Sequence, residues 1–93
     1  MAEIEVNTTE GDDQYEFAVT VAEGSSETRH RVTLQKSDYQ DLLGGRVSPQ
    51  ALVEESFRFL LEREPKESIL RSFDLLVIGD YFPQYRREIV KRL

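Results

Sequence analysis

The side chains with chemical reach in this 93-residue sequence are few. His30 is the only histidine, and it stands between Arg29 and Arg31. A catalytic triad needs a nucleophile beside such a base and an acid to orient it. Serines and aspartates are present, but no Gly-x-Ser-x-Gly turn offers one of the serines as a nucleophile. The flanking arginines also disfavour a protonated imidazole. His30 therefore reads as a strand residue without catalytic duty. There is no cysteine, which excludes disulfides, thiolate metal sites and thiol nucleophiles. Asp12 and Asp13 lack the Asp-x-Asp-x-Asp-Gly spacing of a calcium loop. No catalytic residue, no metal ligand and no cofactor is expected, and the chain reads as a non-enzyme.

Two patterns remain that can bind. In Gly44-Gly45-Arg46-Val47-Ser48-Pro49, a glycine turn and an arginine precede a helix start whose first N–H groups lack partners. Gly45, Arg46 and Ser48 form the candidate anion site. The stretch lacks the Lys-Ser/Thr ending of a phosphate-binding P-loop, and a helix exit followed by a helix entry explains every residue in it but Arg46. The other pattern is "SFDLLVIGDYFPQYRREI", residues 72–89, where aromatics cluster around Gly79 and Pro83 and the sequence then turns basic. Tyr81, Phe82, Tyr85 and Arg86 are the candidate partner surface, because Tyr and Arg are enriched in interface hot spots. Most apolar atoms of the stretch are nevertheless expected in the core.

Charge narrows the partners. The net charge is -6, and all eight charged side chains before Thr28 are acidic while all twelve Lys and Arg follow it. A nucleic-acid binder needs a broad basic footprint. The one basic run, Arg86-Arg87-Glu88-Ile89-Val90-Lys91-Arg92, is interrupted by Glu88 and suits a helix C-terminus, where the macrodipole favours cations. Its expected place is beside the acidic strands. The acidic N-terminus has no apolar signal-like run, and no segment approaches the ~20 apolar residues a membrane span needs. A cytoplasmic location with no membrane partner is expected.

The elements that position these residues follow from periodicity. Tyr15, Phe17, Val19 and Val21 alternate with polar or small residues, and so do Thr28, His30, Val32 and Leu34. These are two strands of a hairpin, with Glu16 and Glu23 expected opposite Arg29 and Arg31. Ile4 and Val6 give a weaker third strand over residues 3–7. At Ser37 the period changes. Ser37 and Gln40 suggest a capping box, followed by a short helix with Tyr39, Leu42 and Leu43 inward and a glycine exit. Ser48 and Pro49 open a second helix, limited by Pro65. Its apolar residues, from Leu52 to Leu61, span about 200° of the helix circumference, so it is expected to be covered on two sides. A short third helix places Ile69, Leu70 and Phe73 inward. A helical turn over residues 77–82 and a last helix from Pro83 complete the chain.

The fold class read from this is α+β: an antiparallel two- or three-stranded hairpin or meander, residues 1–35, followed by about four helices, residues 37–93, packed on one face in a single small domain. From about Val32 onward, "GGRVSP", "LVEESFRFLLEREPKESIL" and "FDLLVIGDYFPQYRREI" resemble a family of small uncharacterised prokaryotic proteins. The resemblance covers the last two thirds of the chain. It implies a stand-alone cytoplasmic domain with a strand pair followed by helices, and it implies no activity. The function read from the residues is a protein–protein interaction module, its partner another protein. A second copy paired through the hairpin edge is an alternative partner. A nucleic-acid-associated or phosphate-binding protein is the second reading, and a small enzyme the third.

Overall fold

Three long strands carry most of the regular structure: β1 (Glu3–Glu10), β2 (Gln14–Glu23) and β3 (Ser26–Gln35). The computed structural model describes residues 2–93. The strands pair in sequence order as an antiparallel meander, Val6 opposite Val19 and Phe17 opposite Val32. Alternation decides the faces. Phe17, Val19, Val21, Val32 and Leu34 point into the core with Val6, Thr28 and His30. On the other face Glu5, Ala18, Arg29 and Arg31 meet solvent. The weak N-terminal signal is thus a full strand, longer than residues 3–7.

The expected charge pairing across the hairpin does not form. The register puts Ala18 opposite Arg31, Thr20 opposite Arg29 and Ser26 opposite Glu23. Arg29 bonds Glu27, two residues away on its own strand. Apolar alternation fixes register far more strongly than exposed ion pairs, because a one-residue slip would turn the whole inner row outward.

Helix α1 (Lys36–Leu43) follows β3 without a loop. Ser37 is not its cap. Gln35 occupies the N-cap without a side-chain bond, and the Lys36 N–H donates to the Asp13 carbonyl at 2.9 Å. The β1–β2 turn thus satisfies one of the N–H groups that the start of a helix leaves unpaired. The exit follows the expected logic, with Gly44 at φ 60° and Gly45 at φ 79°, where a β-carbon would be strained. Helix α2 (Pro49–Leu61) begins as expected: the Ala51 N–H donates to the Ser48 hydroxyl and Pro49 occupies the first turn.

α2 is covered on two sides, as its wide apolar arc requires. It packs on β1 and β2 and, on the other side, against α4 (Tyr85–Arg92). Leu52, Val53, Phe57 and Phe59 are fully buried. Phe59 meets Tyr85 edge to face at 5.3 Å between ring centres. The Tyr85 hydroxyl bonds Ser56 Oγ at 2.6 Å, and Ser56 in turn donates to the Leu52 carbonyl at 2.7 Å. Above this layer Arg63 stacks on Phe59 at 3.6 Å and donates to Glu88, while Arg92 reaches Glu55 at 3.0 Å and also Glu62. The basic C-terminus therefore satisfies acids of α2, not those of the strands.

The expected third helix is absent. Lys66–Ser68 make a single 3-10 turn, Ile69 is extended, and Ser72–Asp74 form β4, parallel to β3 at its free edge. The Arg31 N–H donates to the Arg71 carbonyl at 2.8 Å. His30 Nδ1 donates to the Leu70 carbonyl at 2.7 Å, and its Nε2 faces the Thr28 hydroxyl at 2.8 Å. An unpaired strand edge and a buried imidazole both need partners, and this segment supplies them. The sheet is therefore four-stranded and mixed, in the order β1-β2-β3-β4. A 3-10 turn (Leu75–Val77) then leads into α3 (Ile78–Tyr81). α3 runs through Gly79, so that glycine does not break the helix. Phe82, at φ -128° and ψ 90°, ends it, as the residue before Pro83 must avoid helical geometry. α4 starts two residues beyond Pro83, not at it. No helix among the described residues is long and apolar enough to cross a membrane.

Candidate functional site

An apolar opening into the core lies where α2 ends. Pro65 stops the helix, β3 captures the following segment as β4, and Asp74 caps the next turn by accepting the Leu76 N–H at 3.2 Å. Pro83 then ends α3. These breaks leave an apolar groove of about 160 Å³ between the end of α2 and residues 68–82. Leu60, Ile69 and Ile78 are its buried floor, and half-buried Phe73, Val77 and Phe82 are its walls. Phe82 is anchored edge-on to Phe59 at 5.9 Å and Phe73 leans on Phe57 at 6.1 Å. Leu70 and Tyr81 form the rim, with 46% and 66% of their surface exposed.

One charged group shares the groove. Glu64 lines it, and loss of hydration pushes its carboxyl above the usual range. Among the described residues no cation lies within salt-bridge distance of Glu64. Its basic neighbours are otherwise engaged: Arg63 with Glu62 and Glu88, Lys66 with Glu67. An unpaired carboxylate against an apolar wall favours a cation brought from outside.

The candidate partner residues divide. Tyr81 and Phe82 belong to the groove. Tyr85 is fully buried, with its phenol pushed up by burial, and cannot be a surface residue. Arg86 is exposed on α4 and does not line the groove. Leu70, Phe73 and Glu64 join the groove without having stood out in the sequence. The spacing of Leu70 suits the inner face of a helix. Its exposure follows from the capture of residues 72–74 by β3, which has no local sequence signal.

The candidate anion residues serve the helix ends. Ser48 Oγ accepts the Ala51 N–H, and Arg46 Nε donates to the Leu43 carbonyl at 3.2 Å. His30, bonded on both ring nitrogens and buried, has its pKa lowered chiefly by burial, so it is a neutral structural tie between β3 and residue 70. No group of three or more His, Asp or Glu side chains among the described residues is placed to hold a metal ion.

Compared with known proteins, the chain matches no family model, no curated sequence and no solved structure. The geometry of the groove is therefore the ground for a functional reading.

Proposed function

We propose that this protein is a non-enzymatic interaction module that binds a short segment of another protein in the groove between α2 and residues 68–82. The segment offers an apolar side chain to Phe73, Val77 and Phe82, and a lysine or arginine to Glu64. The observation that carries this reading is the pairing of an exposed apolar rim, Leu70 and Tyr81, with a carboxylate that has no counter-ion among the described residues. Exposed apolar patches rimmed by polar groups often mark interaction sites on soluble proteins. Interface cores favour aromatic anchors such as Tyr81 within a dry pocket.

Selection from a random peptide library against the immobilised protein tests this. The expected result is enrichment of an apolar residue with a nearby Lys or Arg, with binding lost in Leu70→Asp. Glu64→Gln should relax only the preference for the basic residue. Peptides that bind equally well to Leu70→Asp, or that show no basic preference in the parent protein, would refute the proposal.

A further inference from the structure

We infer that β1 is a self-pairing edge, and that two copies of this chain join there as antiparallel neighbours about a two-fold axis at Val6. β1 is the outer strand of the sheet and pairs with β2 along its whole length without a bulge. It has no proline and no Lys or Arg, and between Glu3 and Thr9 its inward positions are Ile4, Val6 and Thr8. Bulges, prolines, lysines and inward-pointing charges are among the devices by which edge strands discourage pairing, and this part of β1 lacks them; the charges it does carry, Glu3 and Glu5, lie on the solvent face.

The hydrogen-bond phase of the free edge follows from the turns. The Gly11 N–H donates to the Gln14 carbonyl at 2.8 Å, so the main chain of Gly11 points toward β2. Alternation along the unbroken register then directs the odd residues of β1 to β2 and the even ones outward. The bonds from Lys36 N–H to Asp13 and from Arg31 N–H to Arg71 give the same phase across the rest of the sheet. The free edge therefore presents the N–H and C=O groups of Ile4, Val6 and Thr8.

An incoming copy must match those groups and keep its own inner face on the core side, which restricts the register. A centre at Glu5 sets Glu5 against Glu5. A centre at Asn7 sets Ile4 against Glu10. A centre at Val6 pairs Val6 with Val6 and Ile4 with Thr8 on the inner side, and Glu5 with Asn7 and Glu3 with Thr9 on the solvent side. Each carboxylate then faces an amide or hydroxyl that can donate to it, at the close spacing of non-hydrogen-bonded pairs. Glu3 and Glu5 have no salt-bridge partner among the described residues. The pairing completes about six main-chain hydrogen bonds, and the two sheets become one.

Sedimentation velocity across a concentration series tests the inference, with substitutions at exposed Asn7 as the diagnostic. The parent protein should dimerise, and added salt should tighten the dimer by screening the acidic edge. Asn7→Glu places carboxylates opposite Glu5 twice by symmetry and should weaken the dimer ~10-fold, whereas Asn7→Lys should tighten it. Thr8→Pro removes an outward N–H that β2 does not use and should leave a folded monomer, as judged by circular dichroism. A parent that stays monomeric at millimolar concentration overturns the inference. So do equal effects of Asn7→Glu and Asn7→Lys, or a dimer abolished by Leu70→Asp in the groove instead. The groove reading stands or falls separately, because its peptide selection does not involve β1.

Discussion

Two flanks of the same helix show how differently similar residues are used. On the α4 flank of α2, Phe59, Tyr85 and Ile89 are fully buried, the Tyr85 hydroxyl is bonded to Ser56, and Arg63 and Arg92 cover the layer with ion pairs. On the flank facing residues 68–82, Leu70 and Tyr81 stay exposed and Glu64 has no cation among the described residues. Both flanks are rich in aromatics. The difference is continuity of backbone. α4 is a two-turn helix that brings Tyr85, Glu88, Ile89 and Arg92 to bear together. The other segment is divided among a 3-10 turn, a three-residue strand, a second 3-10 turn and a four-residue helix, and short pieces cannot close a surface completely.

The largest effect should come from the closed flank. Phe59→Ala should lower unfolding free energy by ~3–5 kcal/mol through lost burial and a cavity. Leu70→Ala on the open flank should change it by less than ~0.5 kcal/mol. Comparable losses for the two in urea titration would show that the flanks are equally packed.

An intermediate effect should appear with acid. His30 ties β3 to the open segment, and burial holds its folded pKa below the ordinary histidine value of 6.5. The unfolded chain therefore binds the proton more readily. The contribution is fully present above about 6.5 and is lost as pH falls from there through the folded pKa. His30→Gln should flatten that part of the stability–pH curve, while carboxylate effects at lower pH persist. An unchanged slope between about pH 7 and 5 would rule out His30 as its source.

The smallest effect sharpens the comparison. An added β-carbon at Gly79 meets nothing within 4 Å, and its backbone is helical. Gly79→Ala should therefore stabilise by ~0.5–1 kcal/mol by restricting the unfolded chain. Peptide binding should be unchanged, since Pro83 and not Gly79 shapes the end of α3. A destabilised variant would mean that the open segment needs the freedom of glycine after all.

How much of the fold was legible in the sequence depends on the range of each signal. Period-two alternation in residues 15–34 set the strands, their inner faces and the place of His30, because register and burial reinforce each other. Ser48, Pro49 and Pro65 marked α2, and the breadth of its apolar arc required a second covering layer. These are properties of neighbouring residues, so the sequence alone determined them. The start of α1, the strand at 72–74 and the opening of the groove were decided by the tertiary structure. The Asp13 carbonyl accepted the Lys36 N–H where β3 passes directly into α1, and the open edge of β3, with His30, drew Leu70 and Arg71 out of the helix their spacing suggested. Tyr81 and Tyr85 are the same residue type four positions apart, one two-thirds exposed and one sealed. Pro83 between them ends one helix before the next begins, and only the packing of α4 on Phe59 and Ser56 selected which tyrosine the core would take.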